Sequence, residues 1–118
     1  MKINSISTSG IYAKNAVAMK SRKTNDATIR DFKNFMKNKN LVLKATLTPT
    51  NKGFYTELEL SKRQGYSLNH VTDENGYGVN STGRTINEAV LDMAKKYNGQ
   101  NLFISEGGFD CFQVPKCP

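Results

Sequence analysis

Two neighbouring stretches of this chain alternate between apolar and polar residues and are separated by a short turn. A period of two is typical of half-buried β-strands, whose successive side chains point to opposite faces of a sheet. Pro49 ends the first stretch, and residues 50–53 form the turn. The residues expected to face the core are Leu41, Leu43, Ala45 and Leu47 in the first strand and Phe54, Thr56, Leu58 and Leu60 in the second. An antiparallel pairing of these strands would set Lys44 near Glu57 or Glu59 on the exposed face.

Further turn signals divide the rest of the chain into short strands. Residues 62–65 predict a turn before a third strand over residues 66–72. Residues 73–76 (Asp-Glu-Asn-Gly) predict a hairpin turn into a short fourth strand over residues 77–80. At the C-terminal end, residues 102–105 and 109–114 predict a last hairpin, whose turn is Glu106-Gly107-Gly108.

Two segments have the periodicity of helices. Thr85 and Glu88 form a capping box, in which the threonine hydroxyl accepts from the Glu88 N–H and the glutamate reaches back. The apolar residues behind it keep a spacing of three and four until Asn98-Gly99 ends the helix: Ile86, Ala89, Val90, Met93, Ala94 and Tyr97. An earlier helix is predicted to start near Asn25, capped by Thr24 or Asn25, with an apolar face of Ile29, Phe32, Phe35 and Met36.

Together these elements predict an α+β fold. We expect an antiparallel sheet of four to six strands, in the order α-β-β-β-(β)-α-β-β, with helices over residues 26–38 and 85–98 packed on one face. At 118 residues the chain suits one domain, which we place at residues 24–118. Residues 1–23, rich in Ser, Asn and Lys, are expected to form a flexible basic N-terminal arm.

The positive charge is concentrated in the first half of the chain. Residues 1–52 hold 11 basic and two acidic residues, whereas residues 53–118 hold six basic and eight acidic ones. Such asymmetry favours acidic partners, either protein surfaces or nucleic-acid phosphates. The candidate binding residues are Arg30, Lys33, Lys37, Lys39, Lys44 and Arg84. Tyr55, Tyr66 and Tyr77 would add stacking on single-stranded bases if they are exposed.

Catalytic, metal and cofactor motifs are not recognisable in the sequence. His70 is the single histidine, and no nucleophile, orienting partner or metal-ligand spacing accompanies it. We expect it to be a half-buried strand residue of a protein that is not an enzyme and needs no cofactor. Cys111 and Cys117 are expected to be free thiols of a protein in a reducing bacterial cytoplasm, the alternative being a small disulfide loop. Without a run of about 18 apolar residues, no membrane span is expected.

The segment Gly76–Thr85 is rich in glycine and enters the second helix. Free N–H groups there, with Arg84 beside them, would suit a contact with a backbone phosphate. The segment lacks the Gly-Lys-Ser/Thr ending of a nucleotide-triphosphate loop. A hairpin turn followed by a helix cap is the alternative interpretation.

The predicted order from Asn25 to Asn98, a helix, three antiparallel strands and a helix, resembles the double-stranded-RNA-binding domain. That resemblance implies that the loop Pro49-Thr50-Asn51-Lys52-Gly53 would enter a minor groove through Lys52. It also implies that the start of the second helix, at Arg84, would lie over phosphates.

Residues 49–104 also resemble small phage anti-CRISPR proteins of type I systems. The resemblance lies in Pro49-Thr50-Asn51-Lys52-Gly53-Phe54-Tyr55, the strand to Ser61, the helix from Thr85 and Asn101-Leu102-Phe103-Ile104. It implies a non-enzymatic inhibitor, encoded by a phage or mobile element, that occludes a host defence nucleoprotein complex. The alternative function is sequence-nonspecific binding of DNA or RNA.

Overall fold

The first helix is much longer than the sequence predicts. The computed structural model describes the backbone of residues 8–105 and 110–118, with side chains from residue 23 onward, and α1 spans Thr8–Asn38. The predicted start near Asn25 is therefore wrong, because the Ala- and Lys-rich segment before it favours helix and contains no proline. Thr24 and Asn25 lie inside the helix, where the Thr28 hydroxyl donates to the Thr24 carbonyl at 2.9 Å.

The predicted arm thus overlaps α1. Residues 8–23 are helical and continuous with the domain's first helix, so residue 24 is not an element boundary. Residues 1–7 lie outside the described part of the chain. The flexibility of residues 1–23 stays a prediction.

The end of α1 follows the sequence prediction. Asn40 adopts φ 54°, a left-handed conformation that asparagine tolerates and that turns the chain into the sheet. The helix buries Phe32, Phe35 and Met36, and the rings of Phe32 and Phe35 lie 5.6 Å apart in a tilted arrangement. Ile29 packs against the same core.

The six strands form one antiparallel sheet in the described residues. They are β1 (Leu41–Thr50), β2 (Gly53–Gln64), β3 (Ser67–Thr72), β4 (Asn80–Gly83), β5 (Asn101–Ile104) and β6 (Cys111–Gln113), and α2 (Ile86–Lys96) lies between β4 and β5. The spatial order is β1-β2-β3-β5-β6, and β4 pairs with β2 beside β3. The predicted α+β class and the order of elements are confirmed.

The chain crosses from β3 to β2 at Val79, and this moves the fourth strand. The Val79 N–H donates to the Val71 carbonyl at 3.3 Å, and its own carbonyl accepts from the Leu60 N–H at 2.9 Å. The predicted turn at 73–76 is present, with the Asp73 carboxylate accepting from the N–H groups of Asn75 and Tyr77. However, the strand after it is Asn80–Gly83, not residues 77–80.

The other strand boundaries differ modestly from the predictions. β2 continues through residues 62–64, which were predicted to form a turn, because β3 pairs with this end of β2. In the last hairpin, β5 has the predicted length of four residues but begins one residue earlier, and β6 is shorter than predicted. The predicted turn Glu106-Gly107-Gly108 lies outside the described residues. Cys111 and Cys117 are free.

Both helices pack on one face of the sheet. α2 contacts β4 and β2, and α1 contacts α2 and β1. The core between these layers contains Leu58, Leu60, Val71, Val79, Ala89, Val90, Met93, Ala94, Leu102, Phe112 and Val114 with the buried side chains of α1. The opposite face of the sheet is open to solvent, as is common for antiparallel sheets.

The capping box of α2 is confirmed with one difference. The Glu88 N–H donates to the Thr85 hydroxyl at 3.0 Å, as predicted. The Glu88 carboxylate accepts from the Arg84 N–H at 3.3 Å, one residue before the predicted donor. At the other end the helix stops at Lys96, two residues before the predicted end, and Gly99 with φ 69° closes the turn that follows it.

No helix in the described ranges combines the length and apolar character needed to cross a membrane.

Candidate partner-binding surface

Three of the predicted binding residues lie on one side of α1. Arg30, Lys33 and Lys37 are exposed and are separated by three and four residues, so they share the face opposite the buried phenylalanines. Arg30 forms an ion pair with its neighbour Asp31 at 3.7 Å. The prediction of a basic stripe on this helix is confirmed as an arrangement of exposed side chains.

A hydrogen bond connects this stripe to the start of α2. The Lys33 ammonium donates to the Asn87 Oδ1 at 3.0 Å. Arg84 lies three residues before Asn87, and its backbone is held by the Thr56 hydroxyl, which donates to the Arg84 carbonyl at 3.3 Å. The fold therefore brings Arg84 and Lys33, 51 positions apart in the sequence, to the same end of α2. We call Arg30, Lys33, Lys37 and Arg84 the basic face.

Lys39 and Lys44 lie elsewhere. Lys39 is at the C-terminal end of α1, where its carbonyl accepts from the Lys62 ammonium at 2.5 Å. Lys44 is opposite Glu59 in the β1–β2 register and points to the open face of the sheet, away from the helices. The expected closeness of Lys44 to Glu59 is confirmed, but its grouping with the stripe on α1 is wrong, because strand alternation turns it to the other side.

The basic face has few acidic neighbours. The described ranges contain one ion pair, Arg30 with Asp31, and one contact of an imidazole with a carboxylate, His70 with Glu59, which is an ion pair only if the histidine is protonated. Lys33, Lys37 and Arg84 take part in neither of them. Exposed cations without an acidic partner leave a positive potential that attracts acidic groups of another molecule.

An apolar groove opens beside the basic face. Its volume is about 640 Å³, and it is lined by Leu47, Phe54, Thr56, Arg84, Thr85, Ile86 and Asn87. We call it the hairpin groove. Three large apolar side chains in it are about half exposed, Leu47 at 49%, Phe54 at 53% and Ile86 at 48%. Exposed apolar side chains grouped in this way mark interaction sites more often than scattered ones do.

The apolar residues of the hairpin groove are predicted from the sequence to lie in the core. The predicted orientation of the strand side chains toward the helices is confirmed, since Leu47 lies opposite the fully buried Thr56 on the helix side of the β1–β2 hairpin. The prediction that these side chains are buried is wrong, and it is also wrong for Ala45, which is exposed. The ten residues of β1 span about 33 Å, whereas the 11 residues of α2 span about 16 Å. The helix α2 therefore leaves the turn end of the β1–β2 hairpin uncovered. The difference between the two lengths is the sequence signal that would have revealed the groove.

The glycine-rich segment is not arranged to hold a phosphate. The Thr82 N–H donates to the Asp92 carboxylate at 3.1 Å, and the Arg84 N–H donates to Glu88. Carboxylates of the chain itself thus occupy the donors that the phosphate interpretation requires, and they repel an anion. The alternative interpretation, a hairpin turn followed by a helix cap, fits the segment, which also contains β4.

His70 lies on the open face and not in a half-buried position. Its side chain is 68% exposed, and its Nδ1 is 3.5 Å from the Glu59 Oε2. Nothing else in the described part of the chain bonds to this imidazole. The described residues contain no cluster of three His, Cys, Asp or Glu side chains suited to a metal. The absence of enzymatic activity stays a prediction.

The three tyrosines are exposed but widely separated. Tyr55 is near the start of β2, and Tyr66 follows the end of that strand, about 30 Å away at the usual rise per residue. Tyr77 lies between β3 and β4. They do not form the continuous series of rings on which successive bases of a single strand would stack.

Chemically, the hairpin groove with its cationic neighbours suits a partner that offers apolar and acidic groups together. Comparison with protein-family models, curated proteins and solved structures found no match for the chain.

Proposed function

We propose that this chain is a non-enzymatic binding protein that occludes an acidic protein surface. The observation that carries the proposal is the position of the hairpin groove beside two cations, Lys33 and Arg84, whose side chains form no ion pair with the described residues. Protein–protein interfaces typically combine an apolar centre with a polar rim. A nucleic-acid backbone offers phosphates and sugars and has no side chain to fill an apolar groove.

The biological setting is proposed from the resemblance of residues 49–104 to anti-CRISPR proteins. In that setting the chain is a phage or mobile-element inhibitor in the bacterial cytoplasm, and it blocks a host defence nucleoprotein complex by covering part of its protein surface. Occlusion requires a stable surface and no catalytic group. The hairpin groove and the basic face would supply the apolar anchor and the charge attraction of such a surface.

Nonspecific binding of DNA or RNA is the second candidate. The exposure of Arg30, Lys33 and Lys37 along one helix face supports it, together with the net charge of +7. Glu57 and Glu59 on the open face and Glu88 beside Arg84 oppose a long phosphate track. We therefore rank it below the protein partner.

The experiment combines charge reversal with two binding assays. The double variant Lys33→Glu/Lys37→Glu reverses the basic face at exposed positions, where substitutions affect stability little. Its matched control is Arg63→Glu/Lys95→Glu, the same change of charge at exposed positions at the far ends of β2 and α2. All proteins are immobilised and exposed to a nuclease-treated bacterial lysate, and all are tested for shifting a DNA duplex of arbitrary sequence in a gel.

We expect the wild type and the control to retain the same protein at moderate salt, and the double variant to lose it. The duplex should bind weakly. The nucleic-acid function would instead be established by two results together. No specific protein would be retained, and duplex binding would fall by orders of magnitude between about 50 and 200 mM salt.

A further inference from the structure

The β1 strand is an edge of the sheet, and its outer side carries backbone groups with no strand partner. In the described sheet β1 pairs with β2 alone. The Arg63 N–H donates to the Asn40 carbonyl at 2.9 Å, so Asn40 and Arg63 are a hydrogen-bonded pair of the ladder. This pair determines which residues of β1 bond to β2. Because hydrogen-bonded residues alternate in an antiparallel pair, the even residues 42, 44, 46 and 48 bond to β2. The N–H groups of Leu43, Ala45 and Leu47 therefore point outward.

Pro49 agrees with this assignment. It belongs to the odd, outward set, where a residue without an N–H costs no ladder hydrogen bond. Upstream of it, residues 44–48 are exposed on both faces of the strand. Nothing in the described residues thus covers this part of the edge, and Leu47 on its inner face also lines the hairpin groove.

We propose that the acidic protein partner inferred above presents an extended segment that adds to β1 as a further strand, along Leu43 to Leu47. The inference rests on the proposed function and specifies its partner. The added strand exchanges main-chain hydrogen bonds with the outward groups of Leu43, Ala45 and Leu47. Its alternate side chains fall on opposite faces of the extended sheet.

The surroundings of β1 specify those side chains. Residues opposite Ala45 and Leu47 lie on the helix side, at the mouth of the hairpin groove, and are apolar. Residues on the other face lie beside the exposed Lys44, which forms no ion pair with the described residues and which separates the added strand from Glu57 and Glu59 on β2. We expect these residues to be acidic. The occupant is therefore an extended segment in which acidic and apolar residues alternate.

The same lysine opposes a second copy of this chain. Pairing two β1 strands antiparallel about Ala45 would set the two Lys44 side chains at diagonal positions on one face, where like charges repel. A lysine and a proline are also common means by which edge strands avoid association with themselves. Lys44 thus discriminates against a copy of the chain and in favour of an acidic strand.

The test uses a short synthetic peptide that alternates glutamate with valine. Its control is a peptide of the same composition in which the glutamates form one block and the valines another. Two variants are compared, Ala45→Pro, which removes an outward N–H but no bond to β2, and Ala45→Val, which keeps the N–H. Affinity is measured by fluorescence anisotropy, and amide hydrogen exchange is followed by NMR on the wild-type protein.

We expect the alternating peptide to bind, and Ala45→Pro to weaken it about tenfold relative to Ala45→Val, roughly the effect of one lost hydrogen bond. In the free protein the amides of Leu43, Ala45 and Leu47 should exchange fast, and the peptide should protect them. The amides of Val42, Lys44 and Thr46 should be protected throughout. This pattern does not depend on how Ala45→Pro folds.

Several outcomes would overturn the inference. These are absence of protection at the outward amides when the alternating peptide is present, equal binding of the block peptide, or equal affinity of the two Ala45 variants. Concentration-dependent protection without peptide would show that a second copy occupies the edge. If Ala45→Pro retains the lysate protein and Lys33→Glu/Lys37→Glu loses it, the strand addition fails while the proposed function stands. If instead Ala45→Pro loses the lysate protein and Lys33→Glu/Lys37→Glu retains it, the basic face has no part in binding and the strand addition at β1 stands.

Discussion

At Gly83, an added side chain would collide with the first turns of α2. A Cβ there would lie 2.7 Å from the Ala89 nitrogen and 2.9 Å from the Glu88 carbonyl carbon, and both are backbone atoms that cannot rotate away. β4 approaches α2 this closely because the Ser81 hydroxyl donates to the Ala89 carbonyl at 2.6 Å in a buried position. Glycine at position 83 is thus required by packing and not by an unusual φ.

We therefore predict that Gly83→Ala lowers the free energy of unfolding by about 1–3 kcal/mol, as overpacking does elsewhere. Gly78→Ala is the matched control, since a Cβ at Gly78 would meet only the Asn80 side chain, at 3.8 Å. Urea denaturation of both variants measures the difference. Equal midpoints for the two would mean that β4 and α2 are not packed as described.

The residues of the basic face show what a sequence can and cannot reveal about a site. The exposure of Lys33 and Lys37 follows from helical spacing alone. The meeting of Lys33 with Asn87 depends on how α1 crosses α2, for which no local signal exists. The separation of Lys44 from this group was available in principle, because the same alternation that predicts β1 turns Lys44 away from the helices.

Among the elements, those with complete local signals were predicted best. α2 has a hydrogen-bonded cap at one end, a glycine at the other and a consistent apolar face between them. α1 was truncated in the prediction, because Thr24 and Asn25 resemble a cap although the helix passes through them. The fourth strand was misplaced, because Val79 bonds to β3 on one side and to β2 on the other.

The extent to which the β1–β2 hairpin is buried could not be predicted from the periodicity of its sequence. Alternation sets which side chains share a face, but the helices that cover that face are set by other parts of the chain. The middle of β2 carries the buried Leu58 and Leu60. Phe54, on the same face but near the start of the strand, is half exposed. The uncovered half thereby becomes available for binding.

For this element we predict that Leu47→Ser/Phe54→Ser weakens binding of the retained partner at least about tenfold, since two apolar anchors of the hairpin groove are removed. The free energy of unfolding should fall by no more than about 1–2 kcal/mol, because each side chain is already half exposed. Tyr66→Ser/Leu68→Ser is the control, an equal loss of exposed apolar side chains at the other end of β2. Binding lost equally in both variants would exclude the groove as the anchor.

The molecule as a whole has two unlike surfaces. The helix side presents the basic face beside the hairpin groove, whereas the open face of the sheet mixes Lys44 with Glu57, Glu59 and His70. Under the proposed function, a net charge of +7 distributed in this way would attract an acidic partner from a distance and direct it to the helix side. Once the partner had docked, the proposed contacts in the groove and along β1 would hold it at short range.

This division predicts separable effects on the kinetics of association with the retained partner. The association rate should fall steeply as salt rises from about 50 to 200 mM, because screening shortens the reach of the charges to about 10 Å or less. The dissociation rate should change little with salt, since apolar contacts and main-chain hydrogen bonds are short-ranged. Lys33→Glu/Lys37→Glu should accordingly slow association, and Leu47→Ser/Phe54→Ser should speed dissociation.

Surface plasmon resonance with the purified partner measures both rates for the wild type and the two variants. A dissociation rate that rises with salt as strongly as the association rate falls would show that charge alone holds the complex. The hairpin groove would then lose its role, and the protein would behave as a polycation on an anionic surface, as in the nucleic-acid alternative.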